Sequence, residues 1–142
     1  MSVTLSKTYF FTLDLGLKVH NLNATDTLKL AFTNTAPTTA THVYADIASP
    51  LSVTNIGGTG AVALTSVTYT QSTGTATLGA ATWTGTSQTG NFGPFEYICV
   101  YNDSAASKNV IGWYDYGSAL TLNGVNGDQL TITFPSGIAT LA

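Results

Sequence analysis

The sequence of 142 residues contains very few charged side chains. Aspartate, glutamate, lysine and arginine together make up 8% of the chain, against about 25% in an ordinary soluble domain. Four lysines and no arginine leave a net charge of −3. A surface that binds nucleic acid or anionic lipid needs clustered basic side chains to neutralise phosphates. We therefore expect no nucleic acid partner and no attachment to a membrane.

Disulfides and long apolar runs are also missing. Cys99 is the single cysteine, which excludes an internal disulfide and a multi-cysteine metal site. The apolar runs are short and interrupted, so no segment is long enough to span a bilayer. Asp14 breaks the apolar stretch near the start of the chain, and no small-residue cleavage site follows it. We predict no secretory signal peptide.

Sequence motifs that indicate an enzyme are absent as well. The chain has no G-x-S-x-G, H-E-x-x-H, P-loop or G-x-G-x-x-G pattern. Glu96 is the single glutamate and lies within a predicted strand, which argues against the carboxylate pair of a glycosidase. Cys99 shares a strand face with aromatic residues and is interpreted as a small buried hydrophobe. We predict a non-enzymatic protein that uses no cofactor and no metal.

Threonine, glycine and apolar residues make up most of what is present. The chain has 26 threonines, 14 glycines and 44% hydrophobic residues, and its length suits one domain over residues 1–142 with a single core. Branched threonine side chains favour strands. A polar surface with so few charges repels its own copies weakly, so neighbours can pack against it. The composition favours a protein that is packed in many copies beside its partners.

Two-residue periodicity predicts an all-β fold, an antiparallel β-sandwich of jelly-roll or immunoglobulin-like type with at most one short helix. In residues 9–19 every odd position is apolar, and we predict a long strand there. Residues 41–48 have helical character over at most two turns. The other predicted strands cover residues 28–32, 66–71, 75–78, 81–86, 94–102, 110–116 and 128–134.

Three stretches resemble a known group of proteins. They are LNATDTLKLAFTNTAP (22–37), GPFEYICVYNDSA (93–105) and IGWYDYGSALTLNGVNGDQLTITF (111–134). They resemble small, Thr-rich β-proteins encoded in the virion structural gene clusters of tailed bacteriophages. The resemblance implies a virion component assembled in the host cytoplasm, a capsid decoration (cement) protein that binds the major capsid protein or other virion proteins. It assigns a role to no individual residue.

The long predicted strand is the candidate for contact with a neighbouring subunit. A free strand edge pairs readily with another chain, so we predict that Tyr9, Phe11 and Leu13 form an inter-subunit contact in a homo-oligomer, a trimer or dimer. Residues 65–89 are the candidate outer surface or a further subunit interface. Two other functions stay open: a tail or head-fibre component, and a carbohydrate-binding module for host adhesion.

Aromatic residues are the candidates for a carbohydrate site. Trp83, Trp113 and Tyr116 would form a stacking platform if they were exposed beside Asp115. The interpretation that we favour places Trp113 between two sheets, because aromatic side chains dominate core burial. An exposed Trp83 or Trp113 would instead favour the adhesion module.

Histidines and aspartates are the remaining polar candidates. His20 lies on the polar face of the first predicted strand, and His42 is equally isolated in the sequence. We predict that both hydrogen-bond at the surface or an interface rather than bind metal or transfer protons. Asp103, Asp115 and Asp128 lie at or beside predicted turns, where aspartate bonds to the nearby backbone. We expect turn roles for these three residues and no calcium site.

Overall fold

The computed structural model describes residues 4–23, 25–58 and 60–141. Residues 1–3, 24, 59 and 142 of the predicted single domain lie outside the described residues. The chain is 41% strand and 10% helix, and its antiparallel sheets pack together in a sandwich-like arrangement. This confirms the predicted all-β class. No helix in the described ranges is long and apolar enough to cross a membrane.

The described residues form nine strands, one α-helix and two short 3-10 helices. The 3-10 helices cover Tyr44–Asp46 and Val53–Ile56. The α-helix and strands, in chain order, are β1 (Ser6–Lys7), α1 (Phe10–Gly16), β2 (Leu28–Thr33), β3 (Thr68–Ser72), β4 (Thr75–Gly79), β5 (Trp83–Thr86), β6 (Phe92–Asn102), β7 (Val110–Leu122), β8 (Gln129–Ile132) and β9 (Ala139–Leu141).

The strands form three antiparallel sheets with the orders β1-β7-β6-β2, β3-β4-β9 and β5-β8. The β6–β7 hairpin is the centre of the largest sheet. Tyr97 pairs with Asp115 but Phe95 pairs with Leu120, so residues 116–119 of β7 face the single residue Glu96 of β6. These four residues of β7 therefore form an exposed bulge.

The main core lies where the four-stranded sheet packs against the two smaller sheets. Phe32 of β2 meets the rings of Trp83, Phe92 and Phe95 at centroid distances of 5.0–5.7 Å. Each fully buried side chain of this size contributes about 1.5–3 kcal/mol to folding. A second cluster includes Cys99, Trp113 and the other members Ala31, Ile47, Tyr101 and Val110. β6 contributes to both clusters, as its apolar sequence predicts for a central strand.

Residues 9–19 form α1 and the turn after it, so the strand predicted there is wrong. The amide of Leu17 donates to the carbonyl of Leu13 at 2.9 Å, and Lys18 ends the helix in a left-handed conformation with φ 59°. Tyr9, Leu13 and Leu17 occupy odd positions of a strand, but they are also four residues apart, the spacing of one helix face. A helix of seven residues has little stability of its own, so the contacts of its buried face with the sheet stabilise it.

The remaining elements differ from the predictions at their ends. The helix predicted over residues 41–48 is a single 3-10 turn, Tyr44–Asp46. β7 continues six residues past the predicted end at 116, and β8 stops at Ile132 rather than at 134. In the described residues α1 is the one α-helix, so the limit of one short helix holds at a different place in the chain.

Candidate functional site

α1 is attached to the edge of the largest sheet. β1 pairs with β7 immediately before it, with Ser6 opposite Trp113. The next residue, Thr8, donates its backbone N–H to the carbonyl of Ile111 at 3.1 Å and its hydroxyl to the carbonyl of Val110 at 3.0 Å. These bonds fix the point from which α1 begins.

The outer face of α1 and the residues that cap its two ends present three large apolar side chains, which we call the α1 stripe. Tyr9 is 72% exposed, Leu13 53% and Leu17 65%. They follow one another at the four-residue spacing that makes side chains neighbours on a helix. Single exposed hydrophobic residues are common on any protein, but a group of adjacent ones is typical of an interaction site.

The inner face of α1 carries a carboxylate that is buried with polar partners. Asp14 is buried, and its Oδ2 accepts a hydrogen bond from Asn109 Nδ2 at 2.8 Å. His42 Nε2 lies 3.1 Å from Oδ2 and 3.3 Å from Oδ1 of the same carboxylate. A buried carboxylate needs such donors in place of water. We call Asp14, His20, His42, Asn102 and Asn109 the polar cluster.

His20 occupies the fully enclosed side of this cluster. Its Nδ1 lies 3.1 Å from Asn102 Nδ2. The orientation of the Asn102 amide is fixed, because its Oδ1 accepts from the Ser104 backbone N–H at 3.0 Å and its Nδ2 also donates to Asp26. His20 Nδ1 is therefore an acceptor, so the proton of the neutral ring is on Nε2.

The Nε2 atom of His20 points toward Asp14 without reaching it. The distance to Asp14 Oδ2 is 3.8 Å, and in the described part of the chain Nε2 has no hydrogen-bond partner. Burial lowers the pKa of His20, because the cationic form loses its hydration, while Asp14 and Asp26 oppose this shift. His20 is thus a buried neutral histidine, and its predicted position on a polar surface is wrong.

Aromatic rings of α1 cover both histidines. Phe10 stacks on His42 with the ring centroids 4.0 Å apart and the planes at 18°. Phe11, which is in the main core, lies 5.6 Å from the His20 ring at an angle of 57°. The attachment of α1 therefore combines ring packing with the buried hydrogen bonds of Asp14.

The geometry of the polar cluster within the described residues bears on whether it could catalyse a reaction or bind a metal ion. Among the residues described, no hydroxyl or thiol is hydrogen-bonded to either histidine. In the same ranges no group of three or more His, Cys, Asp or Glu is arranged to hold a metal ion. Burial raises the pKa of Cys99 to about 12, which leaves it a thiol rather than a nucleophilic thiolate.

The predicted contact residues divide between surface and core. Tyr9 and Leu13 belong to the exposed α1 stripe, whereas Phe11 is buried in the main core and is not available to a partner. Leu17 completes the stripe, although the strand interpretation did not select it. A helical reading of the four-residue spacing would have found it.

The three aromatic candidates do not form one platform. Trp83 and Trp113 are buried in separate clusters, and the indole N–H of Trp83 donates to the carbonyl of Ala61 at 2.7 Å. Tyr116 is exposed on the β7 bulge, beside a pocket of about 140 Å³ that Asp115 also lines. This volume is below the ~300 Å³ at which ligand pockets usually begin.

A larger pocket of about 330 Å³ lies between the β1 and β9 strands. Lys7 supplies its cationic side chain, and Tyr114 and Phe134 are among its aromatic walls. The ammonium of Lys7 already donates to the carbonyl of Thr140 at 2.8 Å, and the hydroxyl of Tyr114 donates to that of Ile138 at 3.2 Å. These two polar side chains are thus directed at the protein itself.

Two of the three aspartates near turns bond to the nearby backbone, whereas the Asp103 carboxylate forms ion pairs instead of the turn bond predicted for it. Asp115 accepts the backbone N–H of Gly117 at 2.7 Å, and Asp128 accepts that of Asn123 at 2.9 Å, which confirms their predicted turn roles. Asp103 follows β6 and pairs with Lys29 at 2.7 Å and with Lys108. Hydrogen bonding to Lys29 is the main cause that holds the pKa of Asp103 below its usual value.

Comparisons with protein-family models, with curated proteins and with solved structures found no match to this chain.

Proposed function

We propose that this chain is a non-enzymatic virion structural protein of a tailed bacteriophage, a decoration protein that binds the capsid shell. The observation that carries the proposal is the exposed α1 stripe on a surface with almost no charge. The resemblance of residues 22–37, 93–105 and 111–134 to Thr-rich virion proteins supports the same role. In the described residues no hydroxyl or thiol is hydrogen-bonded to a histidine, and the Cys99 thiol is buried, which favours a binding role over catalysis.

The partner of the α1 stripe is a second copy of the same chain. Two antiparallel copies of α1 bring Leu13 against its counterpart and Tyr9 against Leu17, so the stripe is complementary to itself. Asp14 faces inward, and α1 has no other charged residue. Lys7 and Lys18 flank the stripe, so the antiparallel pair brings like charges near each other only at its two ends.

The size of the stripe limits the strength of this contact. Three partly exposed side chains bury far less than the ~800 Å² per partner of a stable interface. The pair therefore forms weakly in dilute solution and is populated when a shell holds copies close together, because tethering raises their effective concentration. A capsid lattice provides that condition.

In this proposal the Thr-rich β3–β4 hairpin is the surface that binds the major capsid protein. β3 is at the edge of its sheet, and most of its residues are exposed. An exposed edge offers unpaired backbone groups to a neighbouring chain. A protein that binds across the junction of two capsid subunits favours the closed shell by its greater affinity for that state.

Heating of phage particles tests this role. We expect particles that lack the gene to release DNA at a lower temperature, and added purified chain to restore the wild-type release temperature. Leu13→Ser should restore it only in part, because the variant binds the shell without contacts between neighbouring copies. Val125→Ser is the matched control, since Val125 is a 93% exposed side chain outside α1.

An unchanged release temperature in particles without the gene would contradict the decoration role. Specific binding of the chain to a glycan array would then favour the adhesion module. Its location on the tail or on a head fibre would favour the fibre component.

A further inference from the structure

We propose that the polar cluster is an acid-operated latch, in which protonation of His20 detaches α1 from the edge of the sheet. Three titratable groups face His20: Asp14 from α1, Asp26 from the segment before β2, and His42 from the segment before the first 3-10 helix. Asp46 contacts the backbone beside His42: its carboxylate accepts hydrogen bonds from the backbone N–H groups of His42 and Val43 at 3.0 Å.

Hydrogen bonding in the cluster fits neutral His20 and not its cation. The cation carries a proton on each ring nitrogen. Its Nδ1–H would then point at the N–H groups of Asn102 Nδ2, which lies 3.1 Å away. His20 Nδ1 and Asn102 Nδ2 would then both be donors and would face each other. In the neutral ring Nδ1 is an acceptor for Asn102 Nδ2.

Rotation of the Asn102 amide does not remove this conflict. A rotated amide would offer Oδ1 to His20, but it would lose the bond that Oδ1 accepts from the Ser104 backbone N–H. It would also turn its oxygen toward the carboxylate of Asp26, which now accepts from Nδ2. Because Asn102 is fully buried, no water replaces the lost partners.

Neighbouring charges oppose one another at His20. Asp14 and Asp26 attract a cationic ring, whereas a cationic His42 repels it. Burial is the largest influence and lowers the pKa of His20 below the 6.5 of a free histidine. The proton therefore binds more tightly when the ring is in water, so the closed latch is favoured above pH 6.5 and weakens as pH falls below that value.

α1 is the element that His20 can displace. Its inner residue Phe11 packs on the His20 ring, and the carbonyl of Asp14 accepts the backbone N–H of Val19 at 2.8 Å. Only three residues separate His20 from the end of α1 at Gly16. Movement of the ring into water therefore pulls directly on the helix, whereas Asn102 at the end of β6 stays with the central sheet.

Release of α1 also removes the surface that presents the α1 stripe. Self-association should then weaken in acid, and this consequence rests on the proposed function. The latch itself does not, because it is a property of the single chain.

Histidine NMR on the dilute full-length chain tests the latch. At pH 7.5 we expect the ring signals of His20 to report the proton on Nε2, and on acidification we expect its pKa to lie below 6.5. Amide hydrogen-exchange protection in α1, corrected for the intrinsic pH dependence, should fall by up to about tenfold per pH unit below 6.5, as binding of one proton requires. Protection in β6 should not change over the same range.

Two variants separate the role of His20 from general acid sensitivity. His20→Gln keeps an acceptor for Asn102 but does not titrate, so protection of α1 should become independent of pH between 7.5 and 5. Asp115→Asn is the matched control, because it removes an exposed carboxylate outside the polar cluster, and it should retain the loss of protection. If His20→Gln does not fold, Asp14→Asn serves instead: it removes an attracting carboxylate, so the pKa of His20 should fall further, and the loss of α1 protection should continue to lower pH before it levels off.

A His20 pKa above 6.5, or equal pH dependence of α1 protection in wild type and His20→Gln, would overturn the latch. Sedimentation at pH 7.5 reports separately on the proposed function. A chain that stays monomeric there but releases α1 in acid would contradict self-association and leave the latch intact.

Discussion

At the scale of single residues, attachment of α1 depends on Asp14. Moving an ionised carboxylate out of water costs several kcal/mol unless hydrogen bonds replace its hydration. Asn109, which directly precedes β7, supplies one of those bonds. His42, which precedes the first 3-10 helix, supplies the other. Asp14 thus links three parts of the chain that are far apart in sequence: α1 and the segments around residues 42 and 109.

Asn109→Ala should therefore destabilise the protein. The change leaves the buried Oδ2 of Asp14 without its 2.8 Å donor, and loss of one partner of a buried charged group costs about 1–3 kcal/mol. Urea unfolding followed by tryptophan fluorescence measures the effect. Asn126→Ala is the control, because Asn126 is exposed in the turn between β7 and β8; equal midpoints for the two variants would contradict the role of Asn109.

The polar cluster could not be predicted from local sequence patterns. His42 and Asp14 are 28 positions apart, and Asn109 is 95 positions from Asp14, so no short spacing connects them. Both histidines consequently looked isolated. The one available signal was Asp14 itself, a charged residue inside an apolar run, which indicates a buried partner when the run folds as a helix.

At the scale of elements, the strands of the central sheet follow from the sequence and α1 does not. β2 and β6 were predicted at nearly their observed bounds, because their apolar residues face two packed layers. In residues 9–19 the odd-position pattern and the four-residue pattern share Tyr9, Leu13 and Leu17. Contacts with a distant segment decide between them: residues 42 and 43 bond to Val110 and Asn109 at the start of β7, so the chain after Thr8 cannot extend the pairing of β1 there and folds as α1.

Two glycine-to-alanine substitutions, one in α1 and one in β7, should have opposite effects on the stability of the protein. Gly16→Ala adds a side chain where no atom lies within 4 Å, so it should stabilise the helix by about 0.5–1 kcal/mol, since glycine is a poor helix former. Gly112→Ala should destabilise the protein, because its Cβ would collide with the carbonyl of Ser6 and the side chain of Leu5.

Thermal unfolding measured by circular dichroism compares the two changes directly. The expected order of midpoints is Gly16→Ala, then wild type, then Gly112→Ala. A lower midpoint for Gly16→Ala than for wild type would contradict the assignment of Gly16 to an unconstrained position of α1.

At the scale of the whole molecule, the fold class was predictable but the strand order was not. Alternation and turn residues indicate antiparallel strands, and the structure shows them. Which strands pair depends on contacts between distant segments, as in the sheet β3-β4-β9. The bulge at residues 116–119 likewise depends on register against β6 and leaves no local pattern in the sequence.

We expect self-association through the α1 stripe to depend little on salt concentration. Because the net charge is only −3 and the stripe is uncharged, salt has few interactions between charges to screen. Self-association through α1 should change less than about twofold between 50 and 500 mM salt, because apolar burial and not ion pairing supplies the attraction. A large loss of association in high salt would assign the contact to another surface.

Sedimentation velocity over a range of concentrations at pH 7.5 is the decisive test of self-association through the α1 stripe. We expect a monomer at low concentration and a larger species at high concentration, which Leu13→Ser together with Leu17→Ser abolishes and Val125→Ser leaves unchanged. A chain that stays monomeric at every concentration, or one whose association survives loss of both leucines, would contradict it.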